Sequence, residues 1–384
     1  MIFDFDTVAD RPASDSRKWR KYAGQDVIPL WIADMDFKAS PAILEAIHHR
    51  TDHGIFGYGM PLPPLTQAVL DYCREHYDWT IEASWLVWLP GLVPGLNLSA
   101  AAFGERGDAI LTCTPVYPPF LSAPRNQSRE TTAVPLAQRS DGRYEFDWEA
   151  LERAITPRTR QFFLCSPHNP ASRVFPRAEL EKVAAFCLKH NLILTSDEIH
   201  CDLILDPELR HVPVASLSPE IAARTITLMA PSKTYNIPGL ACAFAVIPDS
   251  KLRLQFVRAM AGIIPELNVL GLAACEAALR HSEPWRQALL AYLRGNRDLI
   301  ADFAGRNLPG IKLIPCEATY LAWLDVSALQ LENPGRFFEQ HGVGLADGAQ
   351  YGVAAGRFVR LNFGCPRDTL AEALARMQRA LATR

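Results

Sequence analysis

The 384-residue sequence predicts an α/β fold: a mostly parallel central sheet flanked by helices, with a smaller α/β domain beside it. Three observations carry this. Five short runs, AILTC (109–113), QFFLCS (161–166), LILTSD (192–197), TITLMA (225–230) and AFAVI (243–247), are apolar nearly throughout instead of alternating, as strands buried on both faces are. Helical patterns separate them, most clearly AELEKVAAFCLKHN (178–191), an amphipathic stretch between the second and third runs. After Pro265 the pattern turns helical, and the C-terminal part mixes strands with helices.

Taken in order, SPAILEAIHHR (40–50) reads as a helix capped by Ser40, with Pro41 in its first turn. LNLSAAAFG (96–104) reads as a second helix that ends at Gly104. Downstream, ELNVLGLAACEAALRH (266–281) and PWRQALLAYLRGNRDLIADFAGRN (284–307) are helical, as are NPGRFFEQHG (333–342) and TLAEALARMQRAL (369–381). ATYLAWL (318–324) and FVRLNF (358–363) read as strands. The expected division is a large domain over 41–282 and a small domain built from 1–40 and 283–384.

A net charge of -3 argues against nucleic acid, which would want a basic face. The N-terminus MIFDFDTVADRP has acidic residues where a signal peptide needs a basic start and an apolar run. No stretch reaches the roughly 20 apolar residues of a membrane span. The nine cysteines are scattered with no C-x-x-C pair, a pattern suited to buried thiols in a reducing compartment. A soluble cytoplasmic protein is expected.

Between Thr225 and Pro248, Lys233 is the only Lys, Arg, Asp or Glu, although the chain is 21% charged. Burial disfavours an ammonium, and a lysine made neutral in this way attacks carbonyls, which points to a Schiff-base lysine. Taken alone, the stretch favours a lysine whose head escapes to solvent at a strand end. Its neighbours matter more. Open α/β sheets bind ligands beyond the carboxyl ends of their strands. There QFFLCS delivers Asn169, LILTS delivers Asp197 and His200, and TITLMA delivers Lys233. Asp34 and Asp36 in ADMDF suggest a metal pair by eye, but no histidine or further carboxylate accompanies them at ligand spacing, so no metal is expected. Asp36 is expected to organise the turn before Ser40.

The succession SPHNP, SDEIH, SKTYNIPG, RLNFG resembles the fold-type I pyridoxal-phosphate (PLP) enzymes, the aspartate aminotransferase superfamily of class I/II aminotransferases. FDFDTVADRPASDSRKWRKY, VIPLWIADMDFKASPAI and FGYG look like its MalY/PatB-type cystathionine β-lyase (C–S lyase) subgroup. The resemblance covers almost the whole chain and implies a role for each candidate. Lys233 would carry PLP and then act as the base at Cα. Asp197 would pair with the pyridine nitrogen; by itself it could be a helix N-cap in TSDEI. Asn169 would bond the ring's phenolic oxygen, where otherwise it is a turn former before Pro170. Tyr117 would stack on the ring, where otherwise it is a core or rim aromatic. The amides of Gly91, Leu92 and Val93 would hold the phosphate with Ser232, although a Pro-Gly turn and a turn serine are common in themselves. Arg360 would grip the substrate α-carboxylate, the alternative being a solvent-facing strand arginine. Tyr58 would reach the phosphate of a neighbouring subunit in a homodimer, or else is a loop aromatic.

The sequence also departs from the aminotransferase pattern. Ala241 stands where an arginine is usual eight residues after the Schiff-base lysine, and Ala230 where a serine is usual three before it. His200 replaces a usual tyrosine, as the lyase subgroup tends to have it. The resemblance therefore implies a PLP-dependent C–S β-lyase acting on cystathionine or related cysteine S-conjugates. An aminotransferase is the alternative, and a regulatory binding protein on the same fold ranks below both.

Overall fold

In the computed structural model, which describes residues 3–383, seven strands form the main sheet. They are β1 (Leu86–Leu89), β2 (Ala109–Thr114), β3 (Glu130–Pro135), β4 (Thr159–Cys165), β5 (Ile193–Asp197), β6 (Thr225–Met229) and β7 (Ala243–Val246), in the spatial order β1-β7-β6-β5-β4-β2-β3. From β6 to β3 every pairing is parallel, and β7 runs antiparallel to both β6 and β1. Every residue of β2, β6 and β7 is buried, which is why these strands read as continuous apolar runs.

Helices cover both faces. Leu96 and Phe256, from the helices Leu92–Ala102 and Ser250–Met260, pack with Ile110, Phe163 and Ile226. On the opposite face Leu180 and Val183, from Arg177–Lys189, pack with Leu111, Phe162 and Leu194. Adjacent residues such as Phe162 and Phe163 thus serve different cores, as the two-residue period of a strand requires. Each such side chain contributes about 1.5–3 kcal/mol on burial.

A second, antiparallel sheet contains β8 (Lys312–Leu313), β9 (Leu321–Asp325), β10 (Ala346–Asp347) and β11 (Phe358–Asn362), in the order β8-β9-β11-β10. Arg360 lies centrally in β11, opposite Trp323 on one side and Ala346 on the other. Ile28–Pro29 pairs with Val343–Gly344 and feeds the stretch 31–37 alongside β11. Leu30, Met35 and Phe37 join the core that holds Leu293, Phe338 and Phe363. Among the described residues no helix is long and apolar enough to cross a membrane.

Several local expectations change. The helix expected from residue 96 begins at Leu92, because Pro94 sits in its first turn, where a missing N–H costs nothing. Ser40 occupies its cap position, yet its backbone carbonyl, not its hydroxyl, accepts the Ile43 and Leu44 amides. The helix expected from 266 starts at Val269 behind Asn268, whose side chain accepts the Leu270 N–H at 2.9 Å. No regular helix follows Asp197, so it is not a helix N-cap.

Candidate active site

The register aligns Cys165, Asp197 and Leu228 across β4, β5 and β6, so the residues that follow them emerge at one edge of the sheet. A cavity of about 420 Å³ opens there, within the usual size range of small-molecule sites. Gly91, Leu92, Val93, Tyr117, Asn169, Asp197, His200, Ser232, Lys233 and Arg360 all line it. Tyr58 does not; it is 98% exposed on a loop away from this cavity. A groove of about 560 Å³ along Arg297 and Glu317 is larger, but there Glu317 takes the Arg143 guanidinium, at 2.6 Å.

Lys233 is half-buried, and its Nζ donates to the Ala33 carbonyl at 2.5 Å. The Tyr320 hydroxyl donates to the same oxygen at 3.0 Å. Burial pulls the ammonium down to about 8, with Arg360 adding to the depression and Asp34 and Asp197 opposing it. The amine is thus far easier to deprotonate than a surface lysine.

Asp197 is buried, and Oδ1 accepts the Ile199 N–H at 3.2 Å. Burial pushes its carboxyl up to about 7; the charge of Glu198 adds to this, while the Ile199 amide and Lys233 oppose it. Glu198 points elsewhere, to Ser196 and His211. A buried carboxylate facing a cavity without an ion-pair partner among the described residues favours a cationic ligand atom.

Arg360 is only 3% exposed, which overturns the solvent-facing alternative. Nη1 donates to Asn169 Oδ1 at 3.0 Å and Nη2 to the Trp31 carbonyl at 2.9 Å, and the guanidinium lies over the Tyr351 ring. Its Nε is buried without a partner among the described residues. Asn169 also accepts the Tyr117 N–H on its backbone carbonyl, so it couples the aromatic wall to the arginine. His200 Nδ1 is likewise buried and unpartnered, and burial with the nearby Lys233 and Arg360 drives the imidazole down to about 3, so the ring is neutral.

These features fit PLP. Asp197 suits a protonated ring nitrogen, Tyr117 offers a face, and the helix starting at Leu92 presents amides with no intrahelical acceptor to a phosphate. Ala241, which also lines the cavity, adds no charge there, so within this chain the helix amides and Ser232 are the groups that would hold the phosphate.

The Ala33 carbonyl and Lys18 escaped the sequence reading, and one expected role changes. The Ala33 carbonyl is a backbone atom and leaves no residue-type signal. Asp36 does not organise the turn before Ser40. It takes Lys18 Nζ at 2.7 Å and Trp19 Nε1 at 3.0 Å, while Asp34 takes Arg11 at 2.7 Å. Lys18, which reads as one more charge in RKWRK, is buried on this pair. Lys18→Ala is expected to cost about 3 kcal/mol in urea unfolding, the lower end for a broken buried pair because Arg11 and Trp19 still face Asp36. A loss below about 1 kcal/mol would show that the pair does not hold this loop.

The sequence matches the aminotransferase class I and II family over residues 25–377. Cystathionine beta-lyase PatB of Bacillus subtilis (strain 168) is 37% identical over 388 residues, covering 99% of this chain and 100% of that protein. The crystal structure of OvoB matches with a TM-score of 0.96 and 44% identity, covering 100% of both chains. The PLP-bound C–S lyase of Staphylococcus hominis matches with a TM-score of 0.92 and 30% identity, covering 99% of this chain and 98% of that one.

Proposed function

Because the chain belongs to the class I and II aminotransferase family, in its PatB/MalY-type cystathionine β-lyase branch, we propose that it is a PLP-dependent carbon–sulfur β-lyase. It cleaves cystathionine or related cysteine S-conjugates to a thiol, pyruvate and ammonia. The observation that carries this is the convergence of Lys233, Asp197 and Arg360 on one cavity at the carboxyl edge of the main sheet.

PLP, when bound, supplies the electron sink that makes the substrate Cα proton acidic. The chain supplies the rest. Arg360 binds the α-carboxylate through its guanidinium, its orientation set by Trp31 and Tyr351. Asp197 holds its negative charge against the ring nitrogen. Lys233 Nζ takes the Cα proton; the Cβ–S bond then breaks, its electron pair leaves with sulfur, and the lysine ammonium can return a proton to the thiolate. Neutral His200 adds no competing charge beside Lys233. Water hydrolyses the released enamine to pyruvate and ammonia. Supplied with L-cystathionine, the PLP-loaded protein is expected to release thiol, pyruvate and ammonia in equal amounts. Thiol without matching pyruvate would exclude β-elimination.

The same reading makes the protein a cytoplasmic homodimer. Nine free, buried cysteines suit a reducing compartment. Ile55, Phe56, Tyr58, Met60 and Leu62 are exposed together, an apolar stretch of the kind a second copy covers. Tyr58 would then serve the partner's phosphate site. Tyr58→Phe and Lys233→Ala proteins, each impaired, are expected to regain up to roughly a quarter of wild-type activity when mixed, because random exchange leaves half the dimers with one intact site. No recovery after verified subunit exchange would place Tyr58 outside the site.

A further inference from the structure

We infer that Arg17 receives the leaving-thiol half of the substrate and favours conjugates whose thiol carries a carboxylate. This rests on the β-lyase reading and deepens it. Four charged side chains line the cavity, namely Arg17, Asp197, Lys233 and Arg360. The last three have the roles given above. Arg17 is exposed and makes no hydrogen bond or ion pair among the described residues.

The position of Arg17 is nevertheless preset. It opens the short helical turn Arg17–Arg20, and its neighbour Lys18 is buried on Asp36. The Trp31 indole N–H donates to the Lys18 carbonyl at 3.1 Å, while the Trp31 carbonyl accepts from Arg360 at 2.9 Å. A single residue therefore ties the turn that bears Arg17 to the arginine at the floor of the cavity. Tyr117 stands within the field of both guanidinium groups, each of which works against the rise that burial imposes on its phenol.

The arrangement has a direction. With the α-carboxylate on buried Arg360 and Cα facing Lys233, the substituent on sulfur is left with the mouth of the cavity. There Arg17 offers a planar donor fork that matches a carboxylate, and Trp31, which lines the same cavity, suits the thioether methylenes. At an exposed guanidinium such a charge pair is worth roughly three- to fivefold in affinity over a neutral group.

The test uses PLP-loaded protein and two ligands that lack the reacting amine, 3,3′-thiodipropionate and 3-(propylsulfanyl)propanoate. Each has one carboxylate for Arg360, and only the first has a second. Isothermal titration is expected to show the dicarboxylate binding roughly three- to fivefold tighter, beyond the factor of about two from its symmetry. Arg17→Met is expected to remove that preference, and Arg17→Lys to keep part of it. An unchanged ratio in Arg17→Met, or a wild-type preference for the neutral chain, would overturn the proposal. The kcat/KM ratio for S-(2-carboxyethyl)-L-cysteine over S-propyl-L-cysteine should fall in parallel in Arg17→Met. An Arg17-dependent binding ratio without thiol release from either conjugate would leave the anion subsite standing and remove the lyase. Release from both, with a ratio indifferent to Arg17, would do the reverse.

Discussion

Lys233→Ala is expected to lose on the order of 10³-fold or more in kcat with L-cystathionine while the protein still folds. The variant removes the one amine in the cavity, and its half-buried Nζ is held on a single acceptor, the Ala33 carbonyl. No other side chain is placed to replace it. Asp197 is committed to its own charge, His200 is held neutral with its pKa near 3, and Tyr320 shares the same carbonyl acceptor. Borohydride reduction should fix PLP covalently to wild-type Lys233 and leave Lys233→Ala with none after denaturation. A variant that keeps a reducible link, or normal turnover, would move the catalytic lysine elsewhere.

Asp197→Asn is expected to retain PLP more weakly and to lose about 10²–10³-fold in kcat, the usual effect of removing one preorganised charge. It also carries a stability signature that a merely structural residue would not show. In the folded apoprotein the Asp197 carboxyl titrates at about 7, against an ordinary value of 3.8. Between these values the folded state binds the extra proton. The group therefore favours folding at low pH and loses that contribution as pH rises from about 4 to 7. Asn has no charge to bury and can still accept the Ile199 N–H. Apo Asp197→Asn should thus be more stable than apo wild type above pH 7, by at most a few kcal/mol at about 1.4 kcal/mol per pKa unit. The two should converge near pH 4 in urea titrations. Equal stability across the range would mean that Asp197 is not held unpaired.

The strands that deliver the site were legible because both of their faces are buried. Leu111, Phe162, Leu194 and Leu228 leave a continuous apolar trace. The edge strands β1 and β3 were not. In β3 (ETTAVP) only Val134 is buried, and a half-wet edge carries turn-like polar residues and a proline. Lys233, Asp197 and Asn169 could be placed at one edge by counting from strand ends, since a parallel register aligns those ends. Arg360 could not, because its depth depends on how β11 pairs with β9 and β10, far along the chain. Lys18 went unnoticed for a related reason. A lysine in the basic run RKWRK looks solvated, and only the approach of Asp36, eighteen residues on, makes it a core residue. Tyr58 was visible only through family resemblance, and within one chain it lies away from the cavity.

The most direct measurement is pyruvate formation from L-cystathionine by the PLP-loaded protein, followed for many equivalents per site with no keto acid present, beside Lys233→Ala. Linear release far beyond one equivalent, with matching ammonia and thiol and none from the variant, is the expected result. Pyruvate that never accumulates, with amino groups transferred once a keto acid is added, would contradict it and make the protein an aminotransferase.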